Sequence, residues 1–253
     1  MSDKFHHEKV DEIICRSKPR LRLFQQEDFE KLKIESDNES EYESIYHEKD
    51  NVSERKLWIK KSGKGSAISG ATNIRHKYCC KFPFSAKVFY DTMRDYARRH
   101  EWDNRDLGRS ILQVYQVPGT VQNQVIENFV KAGTLMVANR EFITLNAEQQ
   151  LEGMIYMLGK SIDISETNVS DPSRFHPLNP VRSDIVYLGQ AIIPISENVC
   201  QYWCITQVDP GGWIPSMLYN YATRYLPKEF QNTMSVGCRG RQERDNEYIN
   251  FYN

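Results

Sequence analysis

Six strand-like segments follow one another between Ser110 and Val208, and they constrain the fold more than any other feature. Each is rich in β-branched and aromatic residues, and turn signals such as VPGT and SEN separate them: SILQVYQV, QVIENFV, REFITLN, GMIYMLGKSI, DIVYLGQAIIPI and VCQYWCITQV. No pattern of helix length interrupts the run. Since parallel strands need long crossover connections, these segments predict one continuous antiparallel sheet.

Helical patterns precede this run. The segment PFSAKVFYDTMRDYARRHEWD has a good N-cap at Ser85 and apolar residues at helical spacing, which are Phe89, Met93, Tyr96 and Ala97. The weaker pattern LRLFQQEDFEKLKIES predicts one surface-packed helix nearer the N-terminus. With the strand-like RKLWIKKS and IRHKYCCKF, this order predicts an α+β domain in which helices pack on one side of a long curved sheet.

The last helical segment is the most apolar. It follows the turn QVDPGG, and its apolar stripe consists of Met217, Leu218, Tyr221, Ala222 and Tyr225, continued by Phe230 and Met234. Pro215 suits a first helical turn, whereas Pro227 predicts a kink. Because DIVYLGQAIIPI is apolar on both faces, both faces of the sheet need cover. The stripe fits a solid core or a cavity wall, and the 14 tyrosines favour a pocket of mixed chemistry.

Charge and composition exclude several classes of protein. The 33 basic and 34 acidic residues give a formal net charge of −1, which removes the electrostatic reason for nucleic-acid binding. The longest apolar runs fall far below the roughly 20 residues that a membrane-spanning helix needs. The polar start MSDKFHHEK has no apolar core of a signal peptide, so the sequence predicts a cytoplasmic protein.

No constellation of residues predicts an enzyme or a metal site. The six cysteines lack zinc-site spacing, which predicts reduced, buried thiols and no metal. The sequence contains no G-x-S-x-G elbow and no H-E-x-x-H motif. His76 and His100 are the candidate bases, but a lone histidine is more often a surface or core residue. We therefore expect no catalytic residues.

Five stretches, in order along the chain, resemble the START family of lipid transfer domains. They are RRHEWD, NREFITL, FHPLNPVRSDIVYLGQ, TQVDPGGWIPSMLYN and LPKEFQNTM. The resemblance spans roughly residues 40 to 237, and it divides the chain into an N-terminal helical segment or extension (1–39), a START-like lipid-binding domain (40–240) and a C-terminal tail (241–253). Here the family's Asn-Arg-Asp is Asn-Arg-Glu, with Glu141 in the last position. The resemblance implies a helix-grip fold, in which the sheet wraps around the C-terminal helix and an internal hydrophobic tunnel encloses one lipid.

The same resemblance implies a set of lipid-contacting residues. Arg99 matches a position where a phosphatidylcholine-binding member contacts the lipid phosphate, although a structural ion pair is an equal alternative. The expected lining residues are Arg99, Trp102, Tyr115, Tyr156, Trp203, Met217, Leu218, Tyr221, Ala222 and Tyr225. The aromatic members of this set suit a quaternary ammonium through cation–π attraction. The gate loop falls in VKAGTLMVANRE, where the tip Leu135, Met136 and Val137 either folds onto the core or contacts a membrane.

The functional hypothesis is a non-catalytic cytoplasmic carrier or sensor of one lipid that touches membranes peripherally. A phospholipid is favoured, and a sterol or sphingolipid remains an alternative cargo. The lipid is the only expected ligand besides a transient membrane surface; no cofactor and no nucleic acid are expected, and the sequence identifies no protein partner. Two other classes stay open: a helix-grip enzyme acting on a hydrophobic small molecule, and a lipid-sensing interaction module that does not transfer its cargo.

Overall fold

The computed structural model describes residues 14–15, 21–49, 54–61, 74–116, 120–131, 137–169, 179–212, 214 and 222–252. The strands of this part of the chain are β1 (Ile14–Cys15), β2 (Glu43–Lys49), β3 (Glu54–Lys61), β4 (Ile74–Phe82), β5 (Asp106–Tyr115), β6 (Asn123–Val130), β7 (Arg140–Leu151), β8 (Met154–Ser161), β9 (Val181–Arg182), β10 (Asp184–Ser196) and β11 (Val199–Asp209). The α-helices are α1 (Gln26–Asp37), α2 (Ala86–Arg94) and α3 (Leu226–Tyr252); 3-10 helices span Tyr96–Glu101 and Ile164–Glu166.

The strands form one sheet in the order β1-β5-β6-β7-β8-β10-β11-β4-β3-β2, and β9 pairs with β7. All pairings are antiparallel except those of β1 with β5 and of β9 with β7. The predicted continuous antiparallel sheet is therefore confirmed. The pairing of β11 with β4 joins the last strand to the early strands and completes the surface on which the C-terminal helix lies.

The inner face of the sheet is covered by α2 and α3. Ser85 begins α2 as predicted, because its hydroxyl oxygen accepts a hydrogen bond from the amide of Val88 at 3.1 Å. The core beneath both helices includes the buried Phe82, Phe89, Tyr202, Met234 and Cys238. The burial of Met234 agrees with the apolar stripe predicted for the last helix.

The outer face of the sheet is covered by α1, so the expectation that the helices pack on one side is wrong. Phe29 and Leu32 of α1 are fully buried against Tyr156, Ala191 and neighbouring outer-face residues. The physical reason lies in β8 and β10, whose apolar residues on both faces gain stability only if each face is removed from water.

A tight junction fixes where the chain leaves β11. Gly211 and Gly212 have φ values of 61° and 62°, and a Cβ on Gly211 would lie 2.4 Å from the carbonyl oxygen of Arg182. Glycine is required there by conformation and by space. Beside this turn, Arg182 Nε donates to the buried Glu141 Oε2 at 2.7 Å. The Asn-Arg-Glu and Asp-Pro-Gly-Gly motifs, far apart in sequence, therefore meet at one end of the sheet.

The helical segment is interrupted before Pro227 rather than kinked at it. Ala222 and Thr223 are helical, the chain turns at Arg224 and Tyr225, and α3 begins at Leu226. Proline is favoured in the first helical turn, where its missing N–H is not needed. From there α3 continues through position 241 to Tyr252 without a break.

Candidate binding cavity

A cavity of about 160 Å³ lies between the inner face of the sheet and the helices. Its lining combines apolar and polar residues, among them Met93, Tyr96, Arg99, Arg109, Gln124, Asn128, Phe142, Asn146, Met157, Gln190 and Phe230. Its volume resembles that of an engineered cavity of about 150 Å³ that admits benzene. The cavity therefore has room for a lipid head group or a ring, and two acyl chains require that the surrounding elements move apart.

Arg99 reaches the cavity and is also ion-paired. Its Nη2 lies 3.3 Å from Oδ2 of Asp103, and its Nε lies 3.9 Å from Oδ1 of Asp106. The guanidinium also sits over the ring of Trp102, 5.1 Å from the ring centroid. Burial raises the pKa of Asp106, and the charges of Arg99 and Arg109 oppose that effect. The sequence leaves two alternatives for Arg99, a lipid-contacting position and a structural ion pair. In the structure Arg99 lines the cavity and also forms the ion pair.

Arg109 is a second cavity arginine, and its guanidinium has no Asp or Glu oxygen within ion-pair distance in the part of the chain that the structure describes. Its Nε donates to Oδ1 of Asn128 at 3.4 Å, and its guanidinium lies 4.9 Å from the ring centroid of Tyr96. The pKa of Arg109 is lowered to about 10, because burial and then the charge of Arg99 lower it by more than Tyr96 and Asp106 raise it. Arg109 is therefore charged at neutral pH.

The sequence alone gave no signal for Arg109. Strict alternation along β5 would place Arg109 and Tyr115 on one face, but a register shift between Ile111 and Gln113 breaks that alternation. Arg109 consequently pairs with Asn128 at the cavity, whereas Tyr115 lies on the other side of the sheet.

A third arginine, Arg94, is held by a carboxylate of the cavity wall. Its Nε lies 3.6 Å from Oε2 of Glu148, and the hydroxyl of Tyr90 donates to Oε1 of Glu148 at 2.7 Å. Burial, followed by this bond, raises the pKa of Tyr90 to about 12. Glu148 therefore has two partners before any ligand enters.

Three of the predicted wall residues lie on the outer face of the sheet, and none of them lines the cavity. Tyr115 packs with Leu21 and Leu23, which precede α1. Tyr156 packs against α1, and Trp203 stacks on Trp58 with 5.3 Å between ring centroids. Successive strand residues face opposite sides, so their neighbours Met157 and Tyr202 point inward instead.

The other predicted residues that the structure describes are not among those that line the cavity, since they pack elsewhere or are exposed, and the rest lie outside the described residues. Trp102 packs against α3, where a Cβ on Gly237 would lie 2.7 Å from its ring. Ala222 and Tyr225 are exposed, and Tyr225 keeps 47% of its surface accessible. Val137 is half-buried. The positions that lie outside the described residues are Leu135, Met136, Met217, Leu218 and Tyr221.

The residues considered for catalysis are poorly placed for it. His76 is buried, and burial lowers its pKa to about 4, while His100 is exposed. Five cysteines are free and buried, as predicted, namely Cys79, Cys80, Cys200, Cys204 and Cys238, and burial raises the pKa of each thiol. Across the described residues, no group of three His, Cys, Asp or Glu side chains is arranged to hold a metal.

The protein has an antiparallel sheet, a C-terminal helix on the inner face of that sheet, and a cavity between the two. These features define the helix-grip class of ligand-binding proteins. A family model, that of the START domain, matches residues 78–244. The chain belongs to the START domain family, whose members bind lipids.

Similar proteins support the same assignment. START domain-containing protein 10 of mouse and of human is 23% identical over 165 residues, which is 63% of this chain and 50% of each relative. The chain therefore spans about half the length of these curated relatives.

Solved structures show the fold independently. The crystal structure of human STARD10 superposes with a TM-score of 0.70 at 18% identity, covering 91% of this chain and 86% of that one. Human StAR-related lipid transfer protein 5 superposes with a TM-score of 0.67 at 14% identity, covering 84% and 93% of the two chains. As for membranes, the described helices include none with the length and apolar character needed to cross a bilayer.

Proposed function

We propose that the protein binds one lipid molecule between its sheet and α3 and carries it between membranes without chemical change. The observation that supports this most directly is the cavity beneath α3, whose wall contains the charged Arg109 and Arg99 beside the apolar Met93, Met157 and Phe230. A wall of this kind suits an amphiphile, because charged donors take a polar head group while apolar side chains accept hydrocarbon. A phospholipid is the favoured cargo, with sterol and sphingolipid as the competing ones.

The size of the cavity requires a step in which the protein opens. Phe230 of α3 stacks on Tyr202 of β11 with 4.7 Å between ring centroids, so the acyl chains must displace this contact or enter beside it. We propose that α3 and the gate loop separate from the sheet during exchange. In this proposal Leu135, Met136 and Val137 contact the membrane surface, and the protein is cytoplasmic.

The test begins with native mass spectrometry of the purified protein, followed by organic extraction and lipid identification. We expect one lipid per protein with unchanged mass after release. Gln124→Trp places a large side chain at the cavity wall and should reduce lipid occupancy, whereas Ser110→Trp at an exposed strand position should not. A protein that stays empty in the presence of phospholipid, sterol and sphingolipid would contradict the proposal, and a changed cargo mass would indicate an enzyme.

Carriage is tested separately from binding. A labelled phospholipid should move from donor to acceptor vesicles in the presence of the protein. Leu135→Asp or Met136→Asp should slow this transfer and leave thermal stability nearly unchanged, because a charge opposes entry of the loop into the membrane. Binding without transfer would show a lipid sensor, and a large loss of stability would show that the loop tip belongs to the core.

A further inference from the structure

Positively charged side chains outnumber negatively charged ones among the described residues of the cavity wall. The described residues that line it include three arginines, Arg94, Arg99 and Arg109, and one carboxylate, Glu148. Glu148 is engaged by Arg94 and Tyr90. Arg99 is paired with Asp103 and Asp106, which are not among the residues that line the cavity. Arg109 remains as the cation whose charge nothing in the described wall compensates at ion-pair distance.

The immediate surroundings of Arg109 leave it incompletely satisfied. It is deeply surrounded by protein, yet it keeps accessible surface because it lines the cavity. A guanidinium has five N–H donors, and the polar contacts found for it are the 3.4 Å bond to Asn128 and the neighbouring Tyr96. A buried guanidinium is most stable with an anionic partner, and two oxygens of a phosphate match its planar fork.

The wall is poorly suited to a positively charged head group. Among the described lining residues the aromatic rings are Tyr96, Phe142 and Phe230. The ring of Tyr96 already has two guanidinium groups near it, Arg94 at 5.1 Å and Arg109 at 4.9 Å, and Phe230 is stacked on Tyr202. A quaternary ammonium needs open ring faces or a free carboxylate, and here it would lie beside uncompensated positive charge.

From this arrangement we infer that Arg109 binds the phosphate of an anionic lipid whose head group carries no ammonium, with Asn128 orienting the guanidinium. The cavity therefore selects lipids of the phosphatidic acid, phosphatidylglycerol or phosphatidylinositol type over phosphatidylcholine. This inference rests on the proposed lipid-binding function, and it names the chemical class of the cargo.

The experiment offers the purified full chain a choice between two lipids. Vesicles contain equal amounts of phosphatidic acid and phosphatidylcholine with identical acyl chains, and the lipid bound by the repurified protein is counted by native mass spectrometry. We expect about a tenfold preference for phosphatidic acid, because both lipids offer a phosphate to Arg109 but only phosphatidylcholine places an ammonium beside the uncompensated positive charge. Arg109→Gln should abolish the preference, Arg109→Lys should retain part of it, and Arg98→Gln, an exposed neighbour of Arg99, should leave it intact.

The outcomes separate this inference from the function on which it rests. If the protein takes up neither lipid, the proposed function fails. If it takes up both equally or prefers phosphatidylcholine, the function stands and the role of Arg109 is overturned. A third arm adds inorganic phosphate alone: a rise in melting temperature without lipid uptake would show a free-anion site and overturn the lipid assignment. Should Arg109→Gln fail to fold, the wild-type preference and the lysine variant still decide the question.

Discussion

Arg140 Nε donates a hydrogen bond to the carbonyl oxygen of Pro210 at 2.6 Å, and this bond ties the start of β7 to the turn that follows β11. The hydroxyl of Ser183 donates to the same oxygen, also at 2.6 Å. Two donors, one at the start of β7 and one in the residue between β9 and β10, thus fix one carbonyl of the Asp-Pro-Gly-Gly turn. That turn sets the direction in which the chain leaves the sheet toward the C-terminal helical segment.

Loss of Arg140 should loosen this turn. Arg140→Met removes the donor to Pro210, so we expect the free energy of unfolding to fall by about 1–3 kcal/mol and amide exchange to accelerate at Val208 and Gly211. Denaturant unfolding and hydrogen exchange with mass spectrometry measure the two effects. Arg22→Met is the matched control, because the side chain of Arg22 is 70% exposed. Unchanged exchange in the turn would show that Ser183 alone is sufficient to hold it.

The same junction shows what could be predicted from the sequence. The Asn-Arg-Glu and Asp-Pro-Gly-Gly stretches are recognisable as motifs in the sequence, and the two glycines adopt the left-handed φ values that favour glycine. Their meeting could not be predicted, because the contact between Arg140 and Pro210 depends on strand register across the sheet. These two motifs are therefore structural, and they say little about the cargo.

Lys77 has a structural role that the sequence does not suggest, because a lysine side chain is usually exposed. Its ammonium is fully buried and donates to the carbonyl oxygens of Glu35, Ser36 and Asn38 at 3.1, 2.8 and 2.9 Å, which satisfies the C-terminal end of α1. The ring of Trp203 lies over it at 4.7 Å. The sequence predicts a lipid contact for Trp203, whereas in the structure its ring contacts this ammonium.

Lys77→Met should detach the end of α1 from the sheet. The substitution keeps a long apolar stem but leaves three carbonyl groups without their donor, so we expect a loss of about 2–4 kcal/mol in the free energy of unfolding. Urea unfolding followed by tryptophan fluorescence gives this value. Lys87→Met, at a side chain that is 82% exposed, should change it by less than about 0.5 kcal/mol. Equal midpoints for the two variants would contradict the capping role of Lys77.

His76 predicts a specific dependence of stability on pH. Burial lowers its pKa from 6.5 to about 4 in the folded protein. Between these two pH values His76 is protonated in the unfolded chain but stays neutral in the folded protein. The contribution of neutral His76 to the free energy of unfolding is therefore complete above pH 6.5 and is lost as the pH falls toward 4. At pH 5 the loss amounts to about 2 kcal/mol.

The measurement compares variants at two pH values. Urea unfolding of wild type and His76→Gln at pH 7.5 and pH 5 should show a smaller drop in the variant, because glutamine does not titrate. His100→Gln, at an exposed position, should retain the wild-type drop. The same drop in all three proteins would assign the pH dependence to carboxylates.

The candidate site shows the limit of sequence reasoning most clearly. The START resemblance selected Arg99, which does line the cavity, but it gave no reason to select Arg109. Tyr115 and Tyr156 looked suitable because aromatic residues are common in pocket walls, yet a bulge in β5 and the alternation of β8 place them under the N-terminal segment and α1. Which face a strand residue occupies depends on register, and register is set by pairing with distant strands.

Gly237 and Gly240 of α3 form a matched pair of positions that tests how closely the helix packs against Trp102 and α2. A Cβ on Gly237 would meet the ring of Trp102 at 2.7 Å and Cγ2 of Thr92 at 2.9 Å, whereas on Gly240 its nearest neighbour would be Arg244 at 3.6 Å. Both positions are in the helix interior, where alanine is intrinsically favoured over glycine by about 1 kcal/mol.

We therefore expect opposite effects from the same substitution. Gly240→Ala should raise the free energy of unfolding by about 0.5–1 kcal/mol, since only helix propensity changes. Gly237→Ala should lower it by about 1–3 kcal/mol, because the ring of Trp102 and the body of α2 block the new methyl group. Urea unfolding measures both values, and the near-ultraviolet circular dichroism of Trp102 should change only in Gly237→Ala. If both variants are stabilised, α3 is free to shift away from Trp102, as a helix that opens for lipid exchange would be.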